Sequence, residues 1–546
     1  MKSNLLKDIL VCLLLLLICL PAVKDLFIPG GFTSHDLNHH VIRQISMNKL
    51  LSEGQFPPRW SGEINHEYGY PVFLFNYPLP PLIGEIIHQL GFGFVDSVKG
   101  VFLISILISG VGMYLFLKSL FNNRLAAVLG AIFWIYAPVR FLNVYVAAAL
   151  GNALACGIIP YLFWCTTEVI KTGKTKWVIW GGMFLSLLIM THNVSVVMFI
   201  PVLALFVILN LFQNLNNQRS RIKFGMTIVY MFLIGFGISA WFWIPSLWDK
   251  QYIRYDQFMA GFYQERFIDF YSLIRSKWGY GSDFSNQIGL VHLGMMGGLI
   301  GIMVWFRKVR EVRWMGGFIL SIFILSIFLT QKISLPLWDN LPLLSYIQFP
   351  NRWLTVTVFA ACIATALVIK YLPHQKILVV SLIILVIYAN RNHWHINQST
   401  NHSEDYYRNL KTTATAYDEH LPIWAKPMTV DPISKVQSEK GAVGIITNHS
   451  NLIKAQITTD QATPVKINQY YFPGWKVLVD GKQVEVNYLQ PGEDHGLMMI
   501  NLPSGKHLVE AKFSETWPRM IADGISGLSL LLISGLFLRS LTRKLN

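Results

Sequence analysis

Apolar runs close to the length of a bilayer crossing recur from one end of this chain to the other, and no other feature constrains its fold as strongly. They lie near residues 9–24, 99–118, 124–141, 146–170, 177–191, 194–213, 225–247, 289–306, 314–330, 353–370, 376–390 and 518–538, which predicts twelve transmembrane helices. A soluble core cannot absorb so many such segments. With 53% of its 546 residues hydrophobic and 14% charged, the chain reads as a mainly α, polytopic membrane protein.

The formal charge of +15 invites a polyanionic partner, but nucleic-acid binding needs basic residues gathered on one solvated face. Here they collect in alternate short loops and the tails: Lys2 and Lys7; Lys118 and Arg124; Lys171, Lys174 and Lys176; Arg219, Arg221 and Lys223. The pattern continues with Arg307, Lys308, Arg310 and Arg313; Lys370 and Lys376; and Arg539, Arg543 and Lys544. This is the positive-inside distribution, and it predicts cytoplasmic N- and C-termini with the long loops outside the cell membrane. Lys2 and Lys7 ahead of an apolar run ending in Pro21-Ala22-Val23 also fit a signal peptide; the poor small-residue cleavage pattern favours an uncleaved helix. All five cysteines, Cys12, Cys19, Cys156, Cys165 and Cys362, fall in apolar runs, so neither a disulfide framework nor a cysteine zinc site is indicated.

Residues 25–98, 248–288 and 391–517 form the long outer regions. The chain therefore divides into a polytopic module, 1–390, with outer loops 25–98 and 248–288; an extracytoplasmic β-rich domain, 391–517; and a final helix with a basic tail, 518–546. The β signal is strongest over 430–516. In 476-KVLVDGKQVEV-486, Asp480-Gly481 separates two alternating runs and predicts a two-residue hairpin turn.

The polar chemistry sits where spans meet the outside. A helix over 35–50 in 33-TSHDLNHHVIRQ-44 would put Asp36, His39, His40 and Arg43 on one face. The prolines and aromatics of 56-FPPRW-60, 69-GYP-71 and 77-YPLPP-81 suit a rigid, cavity-lining loop. Polar and aromatic groups cluster again in 278-WGYGS-282, 287-QIGLVH-292 and 348-QFPNRW-353.

Together with THN at 191–193, YDEHLP at 417–422 and YFPGWKVLVDG at 471–481, these motifs resemble, in order, a bacterial membrane family labelled pyruvoyl-tetrahydropterin-synthase-related. That label is expected to say nothing about chemistry. The family in turn resembles the GT-C glycosyltransferases, which take a sugar from a polyprenyl-phosphate carrier on the outer face. The resemblance implies a GT-C arrangement of about twelve helices, with Asp36 as the acidic residue of the first outer loop, followed by His40 and Arg43. It implies Arg352 in the outer motif before span ten. Tyr70, Tyr77, Gln287 and Gln348, inside the quoted motifs, complete the expected substrate-binding set with Arg43 and Arg352; Asp36 and His40 are the expected catalytic pair. Asn152 in 150-LGNALA-155 departs from related sequences, which tend to carry Glu there.

The residues suit that chemistry on their own terms. Inverting transfer needs a base for the acceptor hydroxyl proton, and Asp36 is a carboxylate at the right boundary. The departing phosphate needs a cationic fork, which Arg352 supplies, with Arg43 as alternative or second contact. Plainer roles compete: Asp36 as a helix cap, Arg352 as a snorkelling anchor, Trp278, Tyr280 and Trp353 as an interfacial belt, and His192, Asn193 and His292 as hydrogen-bonded structural residues. No cofactor is called for with certainty; His35, His39 and His40 beside Asp36 keep a divalent metal open. The expected partners are a polyprenyl-phosphate-linked sugar, an envelope glycan or lipid acceptor and membrane lipids, with no nucleic acid. The rival functions are a catalytically silent envelope assembly or glycan-binding protein and, with less support, a secondary transporter, whose repeated halves are missing here.

Overall fold

A computed structural model describes residues 2–545 except 215–217, 280–284, 416, 491, 493 and 494. Each expected span coincides with an apolar helix, but their lengths do not establish twelve crossings. Among the described residues, seven helices are long and apolar enough to span a bilayer, or nine if each of two bent pairs counts as one crossing. Thr175–Ile189, Leu290–Trp305 and Gln375–Ala389 have 15, 16 and 15 residues. At about 1.5 Å per residue each falls short of a hydrocarbon core of about 30 Å.

The bent pairs explain how the outer surface is shaped. Arg124–Ile135 and Pro138–Val146 meet at 44°, where Pro138 cannot continue the hydrogen-bond ladder and a π-helical turn, Leu142–Val146, follows. Gly225–Ile238 and Ala240–Tyr252 meet at 70°. The helix Leu354–Tyr371 runs through the middle of the bundle with nearly every side chain buried.

Outside, β1 (Gly31–Phe32) pairs antiparallel with β2 (Ser399–Thr400), tying the start of the first loop to the segment after the eleventh expected span. The β-rich region starts at β3 (Val436–Ser438). It continues through β4 (Ala442–His449), β5 (Leu452–Thr459), β6 (Thr463–Tyr470), β7 (Trp475–Val479), β8 (Lys482–Val484), β9 (Leu497–Leu502) and β10 (Gly505–Phe513). They form a five-stranded sheet, β4-β5-β10-β7-β8, and a three-stranded sheet, β3-β6-β9. Val479 faces Lys482 across Asp480-Gly481, both with positive φ, which is the hairpin the sequence predicts. The two sheets share an apolar core with Trp60, Tyr70 and Phe73 of the first outer loop, so that loop and the β region are one packed body. Trp60 stands 5.8 Å from Phe472, 5.8 Å from Trp475 and 5.5 Å from Phe513, which accounts for the FPPRW and YFPGW motifs as packing partners.

Candidate functional site

The first outer helix is Leu37–Ser52, two residues later than expected. Asp36 holds the N-cap position, yet its carboxylate caps nothing; Ser34 Oγ accepts from the Leu37 N–H at 3.3 Å instead. The broken span positions this corner. Backbone carbonyls at the end of the π turn accept from the outer loop: Val146 from His35 N–H at 3.1 Å and Ala147 from Asp36 N–H at 3.0 Å. The Asp36 side chain is thereby fixed at its root and makes no hydrogen bond among the described residues.

Charges of both signs bear on that carboxyl. Burial raises its pKa above the ordinary 3.8, Arg43, His35 and Arg352 pull it down, and Glu419 pushes it up again. Arg43 is held by a bond from Nε to the Ala414 carbonyl at 2.9 Å. Arg352 lies in the one-turn helix Pro350–Trp353; its Nη1 donates to the Ile347 carbonyl at 2.7 Å and to Gln348 Oε1 at 3.1 Å, while Nη2 and Nε have no acceptor among the described residues. Gln348 turns its amide to the Tyr255 hydroxyl at 3.0 Å. Tyr77 lies within the field of Arg43, Asp36 and Arg352, packed over Gly151 and edge-on to His192 at 5.6 Å. Asp36 and Tyr77 therefore share the field of Arg43 and Arg352, with Gln348 bonded to Arg352.

Three expected site residues have other work in this structure. His40 is 5% exposed, with Nε2 against the Leu150 N–H at 3.4 Å, and burial holds its pKa well below 6.5. It holds the start of the next helix, Leu150–Thr172. Tyr70 is buried, its hydroxyl 3.0 Å from Thr415 Oγ1 and accepting from the His420 N–H at 2.8 Å. Gln287 donates to the Ser276 carbonyl at 2.7 Å and braces its own loop. Among the described residues no group of three or more His, Cys, Asp or Glu could hold a metal, so His35, Asp36, His39 and His40 do not form a ligand set.

The other aromatic and polar candidates separate likewise. Trp353 is 7% exposed rather than displayed at the boundary, because the one-turn helix tucks it into the bundle core. Trp278 packs on His393, with ring centres 4.3 Å apart. Tyr280 lies outside the described residues. His292 is fully buried with Nε2 3.0 Å from the Phe133 carbonyl, as expected of a structural histidine. Asn152, in the fourth expected span, donates to Asn143 Oδ1 of the π turn at 3.1 Å, an uncharged amide pair.

Sequence reasoning missed Glu419. The motif 417-YDEHLP-422 was visible, but nothing in a non-periodic stretch tells which of its acids faces inward. The structure puts Glu419 within electrostatic reach of Asp36, His39, Tyr70, Tyr255 and His420.

Residues 75–396, more than half of the chain, match the model of a family described as the 6-pyruvoyl-tetrahydropterin synthase related domain, a membrane protein family. The chain belongs to this family. A search of curated proteins returns no significant match. Among solved structures, this pyruvoyl-tetrahydropterin-synthase-related protein is similar to the oligosaccharyltransferase of Archaeoglobus fulgidus, at 11% identity and a TM-score of 0.48, over 77% of this chain and 62% of that one. It is similar to the mycobacterial arabinofuranosyltransferase AftD, at 12% identity and 0.46, over 69% and 27%. It is also similar to ArnT from Cupriavidus metallidurans, at 16% identity and 0.39, over 75% and 68%. The chain thus spans about three-fifths of the first and about a quarter of the second. At these TM-scores the likeness carries no weight on activity.

Proposed function

We propose that this family member is an integral membrane glycosyltransferase that moves a sugar from a polyprenyl-phosphate carrier to an envelope glycan or lipid acceptor on the outer face, with both termini cytoplasmic. The observation that carries the reading is that Asp36, whose carboxylate makes no hydrogen bond among the described residues, lies within electrostatic reach of Arg352, whose Nη2 and Nε donate to none of those residues, beside the end of a broken span. Asp36 takes the acceptor hydroxyl proton as the acceptor oxygen bonds to the sugar's anomeric carbon, and the bond from that carbon to the phosphate oxygen breaks with its electron pair on the phosphate. Arg352 neutralises the leaving phosphate through the fork left open beyond Ile347 and Gln348, and Arg43 adds further positive charge. Intramembrane and boundary charges of this kind are expensive to keep and mark function more often than packing.

The uncharged Asn152–Asn143 pair favours a second reading, a catalytically silent glycan-binding protein of the envelope. Purified protein in liposomes containing polyprenyl-phosphate-linked sugar separates the two. The transferase consumes the lipid-linked sugar and labels an acceptor; the silent protein leaves it intact.

A further inference from the structure

The segment between β2 and β3 runs past Arg43 and Tyr70 as a strap, fastened at several points among the described residues. Arg43 holds the Ala414 carbonyl, Thr413 Oγ1 donates to Asp418 Oδ1 at 2.7 Å, and Tyr70 accepts from the His420 N–H. Further along, Arg254 N–H donates to the Leu421 carbonyl at 3.1 Å and Ile423 N–H to the Tyr252 carbonyl at 3.0 Å. The His420 ring is enclosed by Tyr70, Phe75 and Tyr255 at 5.8, 5.1 and 6.4 Å.

Between the fixed Asp418 and His420, the half-buried Glu419 takes one hydrogen bond, from the Tyr417 N–H to Oε2 at 3.1 Å; Oε1 has no partner among the described residues. Aromatic residues neighbour it through Tyr417 and Tyr255. Tyr417 is exposed and packs against Phe258 and Phe262 at 6.5 and 5.4 Å, and Tyr255 stacks on Tyr346 at 6.4 Å, with Phe258 and Tyr346 also exposed. A carboxylate that accepts hydroxyl protons beside exposed aromatic faces that cover apolar C–H surfaces is a combination suited to a sugar ring.

We propose that Glu419, with the aromatic wall of Tyr417, Phe258 and Tyr346, forms a carbohydrate subsite that holds the acceptor glycan for Asp36. The proposal rests on the transferase reading of the same site and narrows its acceptor to a glycan presented from the outer aqueous side. Glu419 binds acceptor hydroxyls through Oε1 and takes no proton in the reaction. The strap makes the site composite: the outer region following the membrane module supplies the acceptor side, and the module supplies Asp36 and Arg352.

The test is binding of maltotriose or chitotriose to the full chain in liposomes, read by saturation-transfer NMR for wild type, Glu419→Gln and Tyr417→Ala. Binding to wild type at millimolar saccharide, weakened several-fold in both variants and not competed by polyprenyl phosphate, is the expected result. No binding of either trisaccharide to wild type, binding unchanged in Glu419→Gln, or competition by polyprenyl phosphate overturns the subsite. Binding of polyprenyl phosphate to wild type and to its Arg352→Ala variant, read by native mass spectrometry, tests the donor side separately. Saccharide binding without carrier binding keeps the subsite and removes the transferase reading.

Discussion

The Asp36 N–H donates to the Ala147 carbonyl at 3.0 Å, so the acidic residue of the first outer loop is tied to the broken end of a membrane span. The last carbonyls of the π turn have no partner within it, and the loop takes them. The position of the carboxylate is thus a property of the membrane helices as much as of its own loop.

That link makes activity sensitive to the packing around it. Gly151 lies where an added Cβ would come within 2.4 Å of the Tyr77 ring and 2.7 Å of the Thr191 carbonyl. Gly151→Ala should displace Tyr77 and destabilise the module by about 1–3 kcal/mol. Turnover should fall more than thermal stability does, a difference that paired activity and melting measurements in one detergent will resolve.

The pH dependence of transfer should carry the signature of Asp36. Burial raises its pKa above 3.8, against the opposing charges of Arg43, His35 and Arg352. A base must be ionised, so the acid limb of kcat/KM should lie above the ordinary carboxylate value, with activity lost as pH falls through it. Arg43→Gln removes the strongest opposing charge and should move that limb further up.

A buried ion pair joins the last helix to the outer end of the second bent pair. Arg519 Nε meets Asp249 Oδ2 at 2.8 Å, with the two side chains 0% and 1% exposed. Asp249→Asn would strand a buried guanidinium and should lower stability by about 3–5 kcal/mol, whereas replacing both partners with apolar residues should recover much of it. Thermal unfolding of the single and double variants checks the order.

Lys435 is buried, with its ammonium on the Gly62 and Glu67 carbonyls, and burial lowers its pKa from 10.5 to about 7. Between those values the unfolded chain holds more protons than the folded one, so stability should rise with pH across the window and the penalty should be complete below pH 7. Lys435→Met should flatten that dependence in pH-resolved melting curves.

Much of this architecture was legible because bilayer-length apolar runs and period-two alternation are local signals. The Asp480-Gly481 turn follows from two residues that accept positive φ. The 44° bend and its π turn escaped because Pro138 marks an interruption without saying that the freed carbonyls would be taken by residues about a hundred positions earlier. Arg140 escaped too: it is buried, donating to the Ser105 and Ala153 carbonyls at 3.4 Å, where sequence shows only a lone cation near a span end. In the site, Asp36, Arg43 and Arg352 were readable as charges at an outer boundary. His40, Tyr70 and Gln287 were not separable from them, since a polar residue that grips backbone and one that grips substrate look alike in sequence. Glu419 was hidden because its position depends on contacts from Arg43, Tyr70 and Arg254 across the fold.

The most direct test of the central claim is consumption of polyprenyl-phosphate-linked sugar by wild type and by Asp36→Asn, each folded in liposomes and each shown to bind polyprenyl phosphate. The account predicts turnover by wild type, and its loss in the variant with carrier binding retained. Equal turnover by both would remove Asp36 from the reaction, and carrier binding without turnover by wild type would make this protein a binder rather than an enzyme.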